Sequence, residues 1–396
     1  MEKMAQYQQN IDIKYPGLYN DDTILGKEDF HMKKILALVL AALMLLSSAA
    51  LAEELIIHAS VLPGGTSAQS LTIVPDEALQ ASVEAKFSME VISSKGWGPN
   101  ATTVVNPLTI YEIEYTPDGA ITLVTDSFSP TAKFNITYAI PGEEPTVLAQ
   151  WSQDNVTRRA YAIVDDFEQG TYTGAYVDAE GKTVELSIVY RLYAPENAQG
   201  LPMVVTMHGS GESGNDGLAH VTASQITTCW ADPAWQSEHP CIVLAPQWPV
   251  SDVSNDLELR DKYLEVYKAM IEEFQAKYAP AKTYMATLSM GSRVGFRYLN
   301  LFPETFDAAL MVCGAKQNAD LSKLSETPVW LVHAISDFVN KSQGSVDVFN
   351  QLVYEAGNKT VRLTLLTDEK MNGVFSHASW QYVFGNEEYM EWLFQQ

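Results

Sequence analysis

Lys282-Thr-Tyr-Met-Ala-Thr-Leu-Ser289-Met-Gly-Ser-Arg-Val-Gly-Phe-Arg297 is the stretch that decides the reading of this chain. A short apolar run ends at a serine and a helix-compatible segment follows, which predicts a strand, a sharp turn and a helix. A serine on such a turn has its hydroxyl exposed at the sheet edge, and the next backbone N–H points to where an anionic oxygen would form. Ser289 is therefore the candidate nucleophile. Within the pentapeptide Thr287-Leu288-Ser289-Met290-Gly291, the first position of the usual G-x-S-x-G pattern is threonine. A serine followed two residues later by glycine also fits an ordinary helix entry, so the assignment depends on what surrounds it.

Around this stretch the pattern is regular. Apolar runs at 203–207, 241–245, 284–288, 308–312, 329–332 and 361–366 alternate with helical segments. Such alternation predicts an α/β domain, a mostly parallel sheet with helices on both faces. The clearest helix lies between Asp256 and Tyr278, with Leu259, Tyr263, Val266, Tyr267, Met270 and Phe274 on one stripe. The last is expected near Glu387 to Phe394. A hairpin with strands at 171–178 and 183–193, turned by Ala179-Glu180-Gly181, precedes the alternating region.

In an open parallel sheet, reactive groups collect at the carboxyl ends of strands. After Met207 the chain reads His208-Gly-Ser-Gly-Glu-Ser-Gly-Asn-Asp216, a flexible loop whose backbone N–H groups can turn inward. The oxyanion donors are assigned to the N–H groups of Met290 and Ser210. Of seven histidines, only His333 and His377 follow Ser289. The chain order serine, acid, histidine places the acid after the next-to-last strand. That strand leads into Ile335-Ser336-Asp337, and His333 precedes the acid, which leaves His377 as the base. Asp337 is preferred as the acid over Asp368, a rival expected at the end of the final strand. The carboxylate would fix the tautomer of the imidazole that takes the serine proton. No metal or cofactor is required, and the histidines show no metal-site spacing.

The N-terminal half reads differently. Runs of β-branched and aromatic residues at 55–62, 87–92, 109–115, 120–125, 134–140 and 160–164 are separated by Pro63-Gly64-Gly65, Pro117-Asp118-Gly119 and Pro141-Gly142. This spacing predicts an all-β sandwich of immunoglobulin-like size. Trp97, Tyr111, Tyr115 and Trp151 could each be core or an exposed platform.

Composition narrows the class. The chain has 396 residues, of which 46% are hydrophobic and 19% charged, enough for a full core and for two domains or one large one with an appendage. A formal net charge of −24 opposes nucleic-acid binding, which needs clustered Lys and Arg. Residues 32–52 carry Met-Lys-Lys, an apolar stretch from Ile35 to Leu46 and Ala50-Leu51-Ala52 before Glu53. That is the pattern of a secretory signal peptide, without a stable membrane anchor. The expected location is therefore secreted, extracellular or periplasmic, in a bacterium. Residues 1–31 are expected to be an upstream extension from a misassigned start codon. The remaining boundaries are 53–167 for the sandwich and 168–396 for the catalytic domain. Cys229, Cys241 and Cys313 allow at most one disulfide; Cys229 and Cys241 are close enough in sequence to pair, and three buried thiols fit equally well.

His208 to Asp216, His239-Pro-Cys-Ile-Val-Leu-Ala-Pro-Gln247, Leu288-Ser-Met-Gly291 and His377 with Trp380 resemble the secreted α/β-hydrolase esterases known as predicted peptidases. These are related to feruloyl esterases and polyhydroxybutyrate depolymerases, and some carry an N-terminal immunoglobulin-like domain. The resemblance covers Tyr172 to the end by motif and the N-terminal domain by architecture only. It implies a Ser289, Asp337, His377 triad, an oxyanion hole shaped by Gly209 and Ser210, and a pocket bordered by Gln247, His208 and Trp380. The implied substrates are small-molecule or polymer-linked esters, short-chain, aryl (feruloyl-type) or polyester. Two departures stand out: Thr287 for the first elbow glycine, and Ser292 where a further glycine is common. A serine peptidase with the same triad and a polymer-binding module with vestigial activity are the competing readings. The N-terminal domain is expected to work by position, including assembly of a homo-oligomer.

Overall fold

The computed structural model describes residues 54–75, 79, 84–95, 102–249, 257–314 and 320–396. The expected extension 1–31, the signal segment 32–52, Trp97 and Asp256 lie outside these residues.

The N-terminal strands are β1 (Glu54–Leu62), β2 (Gly65–Val74), β3 (Lys86–Lys95), β4 (Thr102–Leu108), β5 (Ile110–Tyr115), β6 (Ile121–Phe128), β7 (Lys133–Ile140), β8 (Thr146–Ser152) and β9 (Val156–Tyr161). They form a five-stranded sheet of order β5-β6-β2-β1-β9 and a four-stranded sheet of order β4-β3-β7-β8. All pairs are antiparallel except β1 with β9. Alternation drives the packing. In β1, Leu55, Ile57, Ala59 and Val61 point inward while their neighbours are more exposed. They meet Leu71, Ile73, Leu123, Phe134, Ile136 and Trp151 in one core. Trp151 is thus a core residue, whereas Tyr111 and Tyr115 on β5 are exposed. Strands β2, β4 and β8 carry too many polar residues for the apolar-run reading, which passed over them.

The larger sheet holds β10 (Glu168–Val177), β11 (Thr183–Tyr193), β12 (Met203–Met207), β13 (Ile242–Pro246), β14 (Thr283–Leu288), β15 (Ala308–Val312), β16 (Val329–Ala334) and β17 (Arg362–Leu366). Its order is β10-β11-β13-β12-β14-β15-β16-β17. The β10–β11 hairpin and its junction with β13 are antiparallel; every other pair is parallel. Strands β12 to β16 are buried on both faces, as apolar runs in a parallel sheet require. Met285, Ala309, Met311 and Leu331 face one core, shared with helices that contain Met270, Phe274, Val294 and Val348. Tyr284, Leu288, Leu310 and Trp330 face the other, against Trp230, Tyr389 and Leu393.

The helices in chain order are α1 (Ala219–Thr222), α2 (Pro233–Glu238), α3 (Leu257–Tyr278), α4 (Met290–Leu301), α5 (Gln343–Asn350), α6 (Asp368–Met371), α7 (Trp380–Val383) and α8 (Glu387–Phe394). The chain moves from β12 to β13 on one side and then returns to place β14 on the other. The strand order therefore reverses between β12 and β14, the place where a parallel sheet opens a crevice at its carboxyl edge.

The two parts of the chain touch. The Thr66 hydroxyl donates to the Thr222 carbonyl at 2.7 Å, and the Gln225 amide donates to the Val61 carbonyl at 3.2 Å. Val221 and Ala245 are buried in the N-terminal core. The β1–β2 turn also lies near α7, with the Gly64 Cβ position 3.6 Å from the Gln381 side chain.

Candidate active site

Ser289 sits between β14 and α4 with φ 48° and ψ −114°, a conformation L-residues avoid. Its N–H donates to the Val312 carbonyl at 2.9 Å, which ties the turn to β15. Gly291 explains how the helix can start so close to the sheet. A Cβ at that position would fall 2.1 Å from the Met207 carbonyl oxygen, so only glycine fits.

The two departures from the usual elbow turn out to be partners. Thr287 Oγ1 and Ser292 Oγ are 2.7 Å apart and fully buried, and Ser292 Oγ donates to the Val312 carbonyl at 2.9 Å. Space for them comes from glycines elsewhere: a Cβ on Gly295 would lie 3.3 Å from Thr287 Cγ2, and one on Gly314 would lie 2.0 Å from Ser292 Cβ. The β-branched side chain of Thr287 thus finds its room on the helix side, at Gly295.

Ser289 Oγ lies 3.1 Å from His377 Nε2, and His377 Nδ1 lies 2.8 Å from Asp337 Oδ2. The carboxylate can only accept, so Nδ1 carries the proton and Nε2 presents a lone pair to the serine hydroxyl. Asp337 has a fully buried side chain. Its Oδ1 accepts from the N–H groups of Val339 (2.8 Å) and Asn340 (3.0 Å). Asp368, the rival, opens α6 instead of ending a strand; it is exposed and accepts from the Ser336 hydroxyl.

Ser210 and Met290 each begin a helical turn, where the N–H has no intrahelical partner. Gly209, expected to shape the oxyanion hole, offers no free N–H. Its N–H is given to Glu212 Oε2 at 3.0 Å, and its contribution is space: a Cβ there would lie 2.9 Å from Leu288 Cδ1 and 3.8 Å from Ser289 Cβ. Burial pushes the Glu212 carboxyl up to about 7, with the Gly209 N–H pulling back in the opposite direction.

His208 lines a small cavity with Met207, Trp248 and Met290, while Gln247, between the cavity-lining Pro246 and Trp248, is not itself part of its wall. Gln247 is fully buried; its amide nitrogen donates to the Glu212 carbonyl (3.0 Å) and Asp216 Oδ1 (2.9 Å), and its oxygen accepts from the Gly217 N–H (2.9 Å). It pins the loop after β12. His208 Nε2 accepts from the Trp248 N–H at 2.8 Å, so its Nδ1–H donates to the Gly209 carbonyl at 2.6 Å. Burial lowers this imidazole to about 4. Its Nδ1 is also 3.8 Å from Glu212 Oε2, but an uncharged ring makes no ion pair. Trp380 stands perpendicular to the His377 ring at 5.4 Å and is half-buried.

Sequence reasoning missed His333. Chain order sets it aside because it precedes the acid, yet its Nε2 lies 3.0 Å from Asp337 Oδ2. The i, i+4 spacing was the available signal. Cys229, Cys241 and Cys313 are buried free thiols, with Cys241 pushed up to about 12 by burial. Among the described residues no cluster of three or more His, Cys, Asp or Glu could hold a metal, and no helix is long and apolar enough to cross a membrane.

No family model and no curated protein matches the chain. Among solved structures, a thermostable esterase aligns with TM-score 0.66 and 23% identity, over 87% of this chain and 99% of that one. The chain shares the α/β fold of that esterase. An alignment of this extent reaches into the N-terminal sheets, since Glu168 to the end could not supply it alone. Est1E from Butyrivibrio proteoclasticus aligns with TM-score 0.40 and 14% identity, over 56% of this chain and all of that one. An acylaminoacyl peptidase in complex with Z-Gly-Gly-Phe-chloromethyl ketone gives 0.42 and 13%, over 84% and 59% respectively.

Proposed function

We propose that this chain is a secreted serine carboxylic-ester hydrolase of the α/β-hydrolase type, with Ser289 as nucleophile, His377 as base and Asp337 as the acid that orients it. The observation that carries the reading is the unbroken line from Ser289 Oγ through His377 to Asp337, set on a strained strand-to-helix turn. In the first step the Ser289 oxygen attacks the ester carbonyl carbon while its proton passes to His377 Nε2. The carbonyl oxygen becomes an oxyanion facing the N–H groups of Met290 and Ser210, each expected to supply about 3 kcal/mol in the transition state. Collapse breaks the bond to the alcohol oxygen, which takes the proton from His377. Water then enters by the same route, releasing the acid and restoring Ser289.

The surface beside the triad supports apolar or aryl esters. Phe338 is 72% exposed and Phe375 51% exposed, with ring centroids 5.3 Å apart. Phe338 adjoins Asp337 in sequence, and the Phe375 ring lies 6.4 Å from that of His377. Large apolar side chains held in solvent at a reaction centre mark where a ligand lands. A panel of p-nitrophenyl acyl esters and aryl esters, run beside peptide p-nitroanilides, tests the reading. Ester turnover, with a phosphonate inhibitor labelling Ser289 and failing on Ser289→Ala, is the expected result; faster anilide cleavage would move the assignment to a peptidase.

The N-terminal sheets fit an immunoglobulin-like domain whose work is positional, since their first turn rests beside α1 and α7. A chain beginning at Phe167 is expected to lose solubility or stability as this contact surface opens to water. A fully stable, active fragment that lost only its retention on an insoluble polymer would favour a binding module.

A further inference from the structure

We propose that His333 is a positioning residue for the triad acid, sharing Asp337 Oδ2 with His377 and fixing the direction in which the carboxylate faces the base. His333 belongs to β16 and is fully buried. Its Nε2 lies 3.0 Å from Asp337 Oδ2 and 2.8 Å from the Asn340 carbonyl oxygen. Both are acceptors only, so Nε2 carries the proton. The other nitrogen is 2.7 Å from the Ser345 hydroxyl on α5, which therefore donates to it when the ring is neutral. Burial lowers the imidazole's affinity for a second proton, in keeping with that tautomer.

The consequence is a carboxylate with four donors. Oδ1 takes two backbone N–H groups, and Oδ2 takes one imidazole N–H on each of its two lone-pair sites. Were His333 absent, the lone pair it fills would be unsatisfied in a buried site, and the carboxylate could turn toward another donor. It would then no longer point along the Nδ1–H bond of His377 as positive charge develops there. The arrangement is anchored further: the Asn340 side chain donates to the Cys313 carbonyl at 2.9 Å. A histidine used only for packing would need none of these directed contacts.

The inference rests on the triad reading above, and its test separates the two. In His333→Leu, which fills the space without an N–H, kcat on a p-nitrophenyl ester is expected to fall roughly ten- to a hundredfold with KM unchanged within about twofold. His333→Gln, whose side-chain amide can donate to the same oxygen, should recover most of that loss. Because the residue acts through Asp337, adding His333→Leu to Asp337→Asn should lower kcat by less than about twofold. If His333→Leu does not fold, Ser345→Ala keeps the imidazole and removes its support, and a several-fold fall in kcat at constant KM is then expected. Undiminished kcat in His333→Leu, or an equal loss with and without the Asp337 carboxylate, would overturn the inference while leaving an inactive Ser289→Ala unaffected. Retained turnover in Ser289→Ala would remove the triad reading itself.

Discussion

The turn at Ser289 and the loop at Asp337 face each other across the site but are held by opposite means. At the turn the controlling factor is exclusion: Gly291 cannot carry a side chain because the Met207 carbonyl occupies its place, and Ser289 adopts a strained φ of 48°. At the acid the controlling factor is satisfaction: four donors converge on one buried carboxylate. Sterically built sites restrict which residue types can be present and so leave a mark in the sequence. Sites built from hydrogen bonds can be assembled from many polar residues at many separations, and leave little mark.

The sharpest test of this contrast lies on the acid side. Asp337→Asn keeps the shape but presents an NH2 group or a weaker acceptor to His377 Nδ1, which favours the wrong tautomer; a fall in kcat of about 10³–10⁴ is expected. Asp368→Asn should change kcat by less than about twofold, since that carboxylate, at the start of α6, is exposed and accepts from Ser336. Steady-state rates on one p-nitrophenyl ester decide the matter. The reverse ranking would place the acid on the loop after β17.

What was legible in the chain follows from the same contrast. Strands such as β12, Met203–Met207, and β15, Ala308–Val312, are almost wholly apolar because both faces are covered, so the sheet could be read directly. Ser289, Asp337 and His377 could be read as a set because each follows a strand in a fixed order, and the fold brings their side chains within hydrogen-bonding distance. The polar strands β2, β4 and β8 escaped, since half-exposed strands in small sheets need only a few inward apolar residues. The partners of Asp337 escaped for a different reason. Asn340, Ser345 and His333 are ordinary residues whose meaning depends on side-chain direction, and chain order actively argued against His333. Gln247, expected beside the pocket, is fully buried between the cavity-lining Pro246 and Trp248, where it supports the loop after β12. The link between Thr287 and Ser292 was invisible because each was judged separately against a glycine pattern.

The loop after β12 combines both devices, with Gly209 supplying space and Glu212 a hydrogen-bonded carboxyl. It predicts a pH dependence of stability. The Glu212 carboxyl is raised from 4.5 to about 7 in the folded protein, so the folded state holds a proton that the unfolded chain has released. Stability from this group is complete below about pH 4.5 and is lost as pH rises to about 7, a change of at most roughly 3–4 kcal/mol. Glu212→Gln should remove the slope while its amide oxygen still accepts from the Gly209 N–H. His208 and His220, lowered to about 4 and about 3, give the opposite slope in acid, but they do so in both proteins. Urea unfolding at pH 5 and pH 8 measures the difference; parallel curves for the two proteins would show that Glu212 titrates normally.

The smallest expected effect tests whether the turn is built by exclusion alone. If it were, the hydroxyls of Thr287 and Ser292 would be incidental, and Thr287→Val, which keeps the shape, would cost nothing. Both hydroxyls are instead buried, and removing one leaves its partner short of a hydrogen bond. Thr287→Val and Ser292→Ala should each lower unfolding stability by about 1 kcal/mol. The double variant should lose less than the sum, by about 0.5 kcal/mol or more, because the two residues share one bond. Ser292→Ala should show the greater single loss, since its hydroxyl reaches the Val312 carbonyl at 2.9 Å, against 3.4 Å from Thr287 Oγ1 to the Leu310 carbonyl. Equilibrium denaturation of the four proteins measures all these quantities. Strict additivity would mean that the pair is accommodated without contributing, and that space alone shapes the turn.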